Sequence, residues 1–553
     1  MTETCFENAA ICTAMIAALS LFPAVHADEC EQLDSLELPH TEITISERIE
    51  AGTFAAAGAN PSSRDAFAGL PPFCRVAGTR RPTSDSDIRF EVWMPESNWN
   101  GKFVAVGNGA WGGAIPYSAM IAPLAKGFAT AATDVGHQGS AVDASFAVGH
   151  PEKLIDFGHR GIHEMTVAAK SVIRTFYGSK PTRSLFVGCS TGGRQALMEA
   201  SRHPEDYDGV SSMAPANPVV GLMISSLWTS SATLKDAASR ISPRQFELVH
   251  AGAVRACDAM DGIADNIISA PNHCKFDPSA LLCGAPTAAP GACLTEPQVQ
   301  AMRAIYRGPH NPRTGESIHP GFAPGSEKLL PVQTQGDQPF PAVLSYFKDL
   351  LFQDPTWDFR TFDYDKDVAH AMRMHATIVD VEAAGLDAFL AQGRKLLLSH
   401  GWADPLVPPT TSVQFYQDLT TTTASATQNA RLFMIPGMGH REGGDGPFIF
   451  DALAFIDEWA ETGRARSASS QRIHPPRQNG PAPYARSLWK PSTRRVAARM
   501  MRRTSDAQCV EPGAASCVTF RRRSSTRATF LQASNLTDSD TAPRTVRSRG
   551  DTA

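Results

Sequence analysis

A serine between two glycines is the best candidate nucleophile in this sequence. Residues 188–192 read Gly-Cys-Ser-Thr-Gly, and they follow a strand pattern at 184–187 and precede a helical stretch over 193–202. Between a strand and a helix, Gly-x-Ser-x-Gly predicts a nucleophile elbow, because the glycines permit the sharp turn that lifts the hydroxyl above a sheet. Outside that context, a glycine-rich turn without chemistry would be the simpler interpretation. We therefore predict Ser190 as the nucleophile.

An aspartate and a histidine later in the chain could activate this serine. A serine hydroxyl needs a base, and the base needs an acid to orient it. Where the serine sits on an elbow, the chain order is serine, acid, histidine. Asp404 follows a strand pattern at 395–399, and His440 follows another at 431–435. We predict both as catalytic, with an ordinary Asp-Pro turn as the alternative for Asp404.

Other histidines lack this placement on a loop after a strand and before a C-terminal helix. We interpret them as structural or supporting residues, and they include His137, His150, His159, His163 and His400.

Backbone N–H groups that could stabilise an oxyanion are also indicated. One donor is the N–H of Thr191, the residue after the nucleophile. The second should come from a loop after an early strand, and the glycine-rich residues 107–113 fit, since they let the backbone approach a substrate. Gly109 and Ala110 are equal candidates there.

An acidic loop over 257–267 places Asp258, Asp261 and Asp265 close together, with Gly262 permitting a tight bend. Carboxylate and carbonyl oxygens suit Ca²⁺, although the spacing differs from that of an EF-hand. Taken alone, a solvated acidic turn is the simpler interpretation.

The elements that must position these residues alternate between strand and helix. Strand patterns occur at 88–94, 102–106, 128–134, 184–187, 395–399 and 431–435, and helical patterns at 163–177, 193–202 and 448–462. This alternation predicts an α/β fold with a mostly parallel sheet. The rhythm breaks over 216–394, so we predict one α/β domain, residues 28–215 and 395–465, carrying a large insertion.

Charge divides the chain into two parts. Of the 553 residues, 466–553 contain 17 basic and 5 acidic side chains, whereas the whole chain has a net charge of -5. The body is therefore acidic, which argues against a nucleic-acid partner. No apolar run reaches the roughly 18 residues that a membrane span needs.

The N-terminus has the features of a secretory signal. An apolar run at 13–25 precedes a small-x-small pattern ending at Ala27, which predicts a signal peptide over 1–27 and a secreted or periplasmic protein. The segment before the run lacks Lys and Arg, so a short buried helix is the alternative. Nine of the 11 cysteines follow this segment, and an odd number leaves at least one thiol without an intramolecular partner.

Together these motifs resemble the tannase and feruloyl esterase family of α/β-hydrolases over about residues 30–465. The resemblance rests on 107–111 (Gly-Asn-Gly-Ala-Trp), 188–195, 257–265, 352–357, 404–409 and 436–440. It implies an α/β-hydrolase fold with a lid domain inserted over the site, and serine-dependent hydrolysis of esters of hydroxycinnamic, gallic or related aromatic acids. The partner it implies is a small-molecule ester.

The resemblance also implies a structural Ca²⁺ and three disulfides. Its side-chain ligands would be Asp258, Asp261 and Asp265, with carbonyl oxygens from Ile263 and Ile267. The disulfide pairs implied are Cys30–Cys74, Cys257–Cys274 and Cys283–Cys293. Family members usually join the cysteine before the serine to one after the histidine, but Arg441 stands at the second position here. Cys189 is therefore predicted to be a free, buried thiol.

Two other functions compete with this hypothesis. One is a general esterase for aliphatic esters, because core packing explains the aromatic residues of the insertion as well as a substrate pocket does: Trp228, Tyr346, Phe352 and Trp357. The other is an inactive homologue that binds phenolic ligands. The intact order of serine, aspartate and histidine argues against the second. The oligomeric state stays open.

The basic tail, residues 466–553, is predicted to be disordered, since it has little hydrophobic periodicity. We interpret it as a frameshifted reading of the family's C-terminus. Back-translation of 467–471 and 499–505, shifted by one base, can give Glu-Arg-Ile-Leu-Ala and Asp-Asp-Ala-Ala-Asn-Phe, which resemble family endings. A surface-binding basic arm is the alternative, and the gene sequence decides between them.

Overall fold

A nine-stranded sheet organises the protein. In this computed structural model the described residues are 27–56, 65–284 and 293–465. Most of the predicted signal peptide, residues 1–26, and the whole basic tail lie outside them. The strands are β1 (Thr41–Ile49), β2 (Phe73–Arg80), β3 (Ile88–Pro95), β4 (Lys102–Val106), β5 (Ala129–Thr133), β6 (Arg183–Cys189), β7 (Gly209–Met213), a short hairpin of β8 (Thr334–Gln335) and β9 (Gln338–Pro339), β10 (Lys395–Gly401) and β11 (Ala430–Ile435).

The order of the large sheet is β1-β2-β3-β5-β4-β6-β7-β10-β11. The pairs among β1, β2, β3 and β5 are antiparallel, and every pair from β5 to β11 is parallel. The mostly parallel α/β sheet predicted from the sequence is confirmed. Its central strands are buried along most of their length, because helices cover both faces of a parallel sheet.

Helices connect and cover these strands. The α-helices are α1 (Ala27–Glu31), α2 (Tyr117–Ala125), α3 (Pro151–Ile155), α4 (Gly161–Tyr177), α5 (Thr191–Arg202), α6 (Val219–Leu234), α7 (Pro243–Cys257), α8 (Glu296–Arg307), α9 (Pro341–Ser345), α10 (Lys366–Ala371), α11 (Thr377–Val379), α12 (Asp387–Ala391), α13 (Thr410–Thr422), α14 (Ala426–Asn429) and α15 (Ala452–Thr462). Three π-helical turns occur at Asp156–Arg160, Tyr346–Leu351 and Met372–Ala376. The 3-10 turns are Gln32–Ser35, Ser145–Ala147, Ala237–Ser239, Asp258–Asp261, Pro271–His273, Pro278–Leu281, Glu327–Gln333, Phe359–Thr361 and Ala383–Leu386.

Helix boundaries follow local chemistry. In α4 the apolar residues recur at helical spacing and are buried, and Gly178 ends the helix with a φ of 67°, a conformation that favours glycine. The last helix was predicted from about residue 448, but α15 begins at Ala452. Asp451 explains the difference, because its side chain caps the helix by accepting a hydrogen bond from the Ala454 N–H at 3.0 Å.

The chain between Met213 and Lys395 adds no strand to the large sheet. Strands β7 and β10 are nevertheless neighbours, with Gly209 opposite Lys395 and Met213 opposite Ser399. Part of the intervening chain builds a small apolar core of its own, formed by Phe246, Val249, Leu281, Leu294, Val299, Met302, Ile305, Phe322 and Leu330. Other parts of it pack into the main core beside the sheet.

Three disulfides join Cys30–Cys74, Cys257–Cys274 and Cys283–Cys293, the pairs that the family resemblance implied. Two of them lie in the inserted chain, around the acidic loop and the small core. Covalent links are most useful where little apolar core is available. No helix in the described ranges combines the length and the apolar character needed to cross a membrane.

Candidate active site

The three residues predicted to be catalytic lie beyond the carboxyl ends of three parallel strands, with β7 between the first strand and the other two. Ser190 comes directly after β6, Asp404 comes shortly after β10, and His440 comes after β11. The register aligns the ends of the strands, with Cys189 opposite Met213 and Gly401 opposite Ile435. Parallel strands end at a common edge, so the three loops meet there, which is where ligands bind in open α/β sheets.

Ser190 has the backbone conformation of an elbow. Its φ of 64° and ψ of -123° are rarely adopted by residues other than glycine. A Cβ on Gly188 would lie 2.2 Å from the carbonyl oxygen of Gly192, so only glycine lets the strand and helix come this close. The Ser190 N–H donates to the Met213 carbonyl at 3.0 Å, which fixes the turn to the neighbouring strand.

Asp404 is fully buried and accepts four hydrogen bonds. Its Oδ1 accepts from the N–H groups of Leu406 and Val407 at 2.8 and 3.0 Å. Its Oδ2 accepts from His440 Nδ1 at 2.7 Å and from His400 Nε2 at 3.0 Å. Burial alone would raise the pKa of this carboxyl, but the charge of His440 and the two histidine hydrogen bonds hold the pKa well below its usual range. The carboxylate therefore stays ionised.

His440 is oriented by this carboxylate as a general base would be. Because Nδ1 donates to Asp404, the neutral ring carries its lone pair on Nε2. That nitrogen is buried, and it forms no hydrogen bond with any described residue, Ser190 included. The structure thus pairs Asp404 with His440 and places Ser190 on the adjacent loop without the serine–histidine hydrogen bond. Such bonds are often long in ligand-free enzymes and tighten when substrate binds.

His400 was predicted only as a structural or supporting residue, and the structure puts it in direct contact with Asp404. The side chain is fully buried at the end of β10. Its Nε2 also lies 3.2 Å from the Val407 carbonyl, which can only accept, so Nε2 carries the proton. Nδ1 then accepts from the Ser412 hydroxyl at 2.8 Å. No sequence pattern indicated this contact, because it depends on the turn between β10 and α13.

The loop predicted to supply an oxyanion donor packs against the elbow. A Cβ on Gly107 would lie 2.5 Å from the Gly192 Cα, and the Gly192 N–H donates to the Asn108 carbonyl at 2.8 Å. Two N–H groups of this loop already have acceptors. The N–H of Asn108 donates to Gln195 Oε1, and the N–H of Trp111 donates to the Ala141 carbonyl.

Within the described chain, the N–H groups of the two predicted candidates, Gly109 and Ala110, form no hydrogen bond. Both remain available to a ligand. Thr191, the other predicted donor, holds the loop in place through its hydroxyl, which donates to the Ala110 carbonyl at 2.6 Å.

Cys189 is the one described cysteine outside the three disulfides. The residue is partly buried rather than buried, because it precedes the open turn at Ser190. Burial of the thiol and the nearby Asp404 charge raise its pKa to about 12, which the charge of Arg441 partly opposes. The thiol is therefore protonated at neutral pH and a weak nucleophile.

The loop that carries His440 is held by polar contacts to the inserted chain. His250 donates from Nδ1 to Glu327 at 3.1 Å and lies 3.0 Å through Nε2 from Asp445, which Lys328 also contacts. We call these four residues the His250 cluster. Burial alone would lower the pKa of His250, but its hydrogen bonds to Asp445 and Glu327 raise the pKa to about 9. At neutral pH the ring is a cation that joins helix α7 to the histidine loop.

The acidic loop closes on itself. Asp258 Oδ1 accepts from the N–H groups of Asp265 and Ile267, both at 3.1 Å, and Asp261 Oδ1 accepts from the Ile263 N–H at 3.0 Å. Gly262 has a φ of 85°, which permits the bend. These hydrogen bonds hold residues 258–267, which carry the oxygen atoms predicted as metal ligands, in one turn. Carboxylates and carbonyls are the ligands Ca²⁺ takes, so this donor set fits that ion.

The four aromatic residues considered for a substrate pocket make core contacts. Phe352 stacks on Trp357 at 5.1 Å between ring centroids, Trp228 meets Tyr364 edge to face at 4.9 Å, and Tyr346 lies 5.8 Å from Trp111 in parallel planes. Packing accounts for all four, as the alternative interpretation held. Through Tyr346 this aromatic layer supports the loop of Gly109 and Ala110.

Comparison with known proteins identifies the family. The family model described as tannase and feruloyl esterase matches residues 74–487, about three quarters of the chain. The chain belongs to this family. An uncharacterized esterase of Xanthomonas campestris is 36% identical over 82% of this chain and 85% of its own length. A probable feruloyl esterase B-2 of Aspergillus terreus is 31% identical over 78% of this chain and 82% of its own.

Solved structures agree with this assignment. The crystal structure of feruloyl esterase B from Aspergillus oryzae superposes with a TM-score of 0.72 at 28% identity, covering 79% of this chain and 91% of that one. A tannin acyl hydrolase from Aspergillus niger, at 19% identity and a TM-score of 0.61, shares the fold over 77% of this chain and 83% of its own. The α/β-hydrolase fold is confirmed, and the protein is a carboxylic ester hydrolase with a small-molecule ester substrate.

Replacing His400 tests whether it positions Asp404. We expect His400→Leu to lower kcat/KM by about 10- to 100-fold, since a hydrogen bond to a charged group contributes about 1.5–3 kcal/mol. The acidic limb of the pH profile should also move to higher pH, because the carboxylate loses a donor and attracts the protonated base more strongly. Ser412→Ala, which removes only the more distant hydrogen bond, is the matched control. An unchanged pH profile in His400→Leu would leave the residue a purely structural role.

The His250 cluster predicts an alkaline loss of stability. The pKa of His250 is raised on folding, so its contribution is complete below the ordinary histidine value of about 6.5 and lost as pH rises through about 9. We expect the difference in free energy of unfolding between wild type and His250→Gln to fall by roughly 1–3 kcal/mol between pH 6.5 and 9.5. Denaturant titrations measure it, with the exposed His273→Gln as control. A difference that is constant with pH would contradict the assignment.

Proposed function

We propose that the protein hydrolyses esters of aromatic acids, of the hydroxycinnamic or gallic type, through a Ser190–His440–Asp404 triad. The observation that carries the mechanism is Asp404, buried with four hydrogen-bond donors and bonded to His440 so that Nε2 is free to accept a proton. The proposal that the acid part of the substrate is aromatic rests on the family and on similar proteins named feruloyl esterase and tannin acyl hydrolase.

The first half of the reaction forms an acyl-enzyme. Ser190 Oγ attacks the ester carbonyl carbon while His440 Nε2 takes the hydroxyl proton. The carbonyl oxygen becomes an oxyanion that accepts hydrogen bonds from the N–H of Thr191 and from Gly109 or Ala110. The bond to the alcohol oxygen then breaks, and His440 returns the proton to the departing alcohol.

The second half releases the acid. Water enters, gives a proton to His440 Nε2 and attacks the acyl carbon. The ester bond to Ser190 breaks, and Oγ regains the proton from the histidine. Asp404 stays ionised throughout and stabilises the imidazolium that forms in both halves. The thiol of Cys189 takes no part, because its raised pKa keeps it protonated.

We further propose that the acidic loop binds a structural Ca²⁺ through Asp258, Asp261 and Asp265 with the carbonyls of Ile263 and Ile267. The bound ion would offset the repulsion among the carboxylates and stabilise the inserted chain. The loop lies next to the Cys257–Cys274 disulfide, and its last residue, Ile267, packs near Gly437 in the loop that carries His440. The proposed ion has a structural role there, and no chemical step is assigned to it.

We also propose that the protein is secreted or periplasmic. Three disulfides within the described chain support an oxidising compartment. The predicted signal peptide supports export, and N-terminal sequencing of the mature protein tests it.

Removal of any triad side chain should abolish turnover. We expect Ser190→Ala, Asp404→Ala and His440→Ala each to lose several orders of magnitude in kcat while keeping the melting temperature within a few degrees. Hydrolysis of methyl ferulate, methyl gallate and matched aliphatic esters is the measurement. His150→Ala, which removes an exposed histidine paired with Asp85, is the control. Near-normal turnover by His440→Ala would overturn the base assignment, and a preference for aliphatic esters would overturn the substrate class.

Calcium removal should destabilise the inserted chain. Because a ligand that binds only the folded state stabilises it by about 3 kcal/mol at 100 times its Kd, EGTA should lower the melting temperature and Ca²⁺ should restore it. Asp258→Asn and Asp261→Asn should abolish this response. Asp337→Asn, an exposed carboxylate paired with Arg240, should retain it. An EGTA-insensitive melt, with no metal in the purified protein, would overturn the proposal.

A further inference from the structure

A cluster of two histidines and one aspartate lies at the far end of the helix that starts at the nucleophile. His163 is in the first turn of α4, His203 directly follows α5, and Asp206 lies in the turn before β7. One ligand-forming atom of each residue lies within 4.8 Å of those of the other two. Neither the proposed reaction nor the calcium loop uses these residues.

The two imidazole rings are stacked face to face. Their centroids are 3.7 Å apart and their planes differ by 10°. His163 Nδ1 hydrogen-bonds Asp206 Oδ2 at 2.7 Å, and the Asp206 N–H donates to the His203 carbonyl at 3.0 Å. This second contact fixes the turn, so the carboxylate and both rings stay together without a long or mobile connection.

Neutral imidazole nitrogens and carboxylate oxygens are the ligands that Zn²⁺ takes, at about 2.0–2.2 Å. Four ligands around such an ion lie roughly 3.3–3.6 Å apart. The ligand atoms of the cluster lie within 4.8 Å of one another, so coordination requires them to move closer and one imidazole ring to rotate out of the stack, because each nitrogen lone pair lies in its ring plane. His163 and His203 are partly exposed, so an ion can enter from solvent and keep a water as its fourth ligand.

A buried carboxyl close enough to Asp206 to interact with it electrostatically is left without a hydrogen-bond partner among the described residues. Glu199 lies one helical turn before His203, whose N–H donates to the Glu199 carbonyl at 2.9 Å. Its side chain is 1% exposed, and neither of its carboxyl oxygens has a hydrogen-bond partner among the described residues. A buried polar group left in this state calls for an explanation such as a bound ion or water. The C-terminal end of α5 also favours positive charge.

Lys170 is a competing cation at Asp206, and Arg202 lies near His203. Lys170 contacts the Asp206 carbonyl and lies 3.7 Å from its Oδ1. That distance is too long for a strong hydrogen bond, and Oδ2 points to His163 instead. A metal ion binding between His163 and Asp206 would replace the proton on Nδ1, which passes to solvent. The Lys170 pair can persist on the other carboxylate oxygen.

We propose that His163, His203 and Asp206 bind one divalent transition-metal ion of the Zn²⁺ class. The ion fastens the start of α4 to the end of α5 and the turn into β7. At 1.5 Å per residue, the 12 residues of α5 separate it from Ser190 by about 18 Å. Its role is therefore structural, and it takes no part in ester hydrolysis.

Zinc titration of the metal-free protein tests this site. The full chain is kept in excess Ca²⁺, so that the oxygen-rich loop is saturated, and Zn²⁺ binding is followed by calorimetry. Co²⁺ is then substituted, because its visible absorption reports nitrogen and oxygen ligands in tetrahedral geometry. We expect one equivalent of Zn²⁺ and a higher melting temperature, since only the folded state holds the site.

Variants assign the ligands. His203→Ala and Asp206→Asn should each weaken Zn²⁺ binding by at least the roughly 10- to 100-fold seen when a supporting metal-site residue is lost. His150→Ala is the matched control, because it removes an exposed histidine paired with a single aspartate, Asp85, at 2.6 Å. It should bind like wild type. His203→Gln provides a second variant that keeps side-chain bulk if alanine impairs folding.

The outcomes are distinct. The site is established if the His203 and Asp206 variants lose the one bound equivalent of Zn²⁺ while His150→Ala keeps it. No tight Zn²⁺ binding by wild type, or equal binding by His203→Ala and His203→Gln, overturns the proposal. Ester hydrolysis by the same samples serves only as a folding check, so a failed metal site leaves the proposed esterase function intact.

Discussion

The candidate active site depends on one buried carboxylate. Asp404 is fully buried, and it is stable as an anion only because four donors converge on it from β10, the loop after it and the loop after β11. An unpaired buried charge would cost several kcal/mol. Each donor therefore stabilises the carboxylate, and the carboxylate in turn holds each donor in place. The hydrogen bonds to Asp404 thus orient His440 and also join the loops at this end of the sheet.

Residues that act within one strand–turn–helix unit could be predicted from the sequence. Apolar runs indicated β6, β10 and β11, and the glycines at 188 and 192 indicated the elbow between β6 and α5. Contacts between distant segments could not be predicted. His400 reaches Asp404 through the turn before α13, and His250 meets Asp445 across the inserted chain. No spacing rule encodes such pairs, because tertiary packing sets them.

The loop that carries His440 shows how polar contacts can hold a catalytic segment. Arg441 occupies the position at which the family resemblance implied a cysteine, and Cys189 stays a thiol. The His250 cluster and the Ala403 N–H, which donates to the Met438 carbonyl at 2.9 Å, hold the loop on two sides. Ionic contacts respond to pH and salt, whereas a disulfide responds to redox potential. A loop held by ionic contacts is therefore sensitive to pH and salt, whereas a loop held by a disulfide would be sensitive to reduction.

The pairing of β7 with β10 also has a consequence for how the chain folds. The two strands are neighbours although the whole inserted segment separates them in sequence. Contacts between distant residues form slowly, because the entropy of closing a long loop must be overcome first. During synthesis Ser190 and its elbow emerge well before Asp404 and His440. Under the proposed mechanism, Ser190 stays inert until the last strands dock, and activity appears only in chains that have completed the sheet.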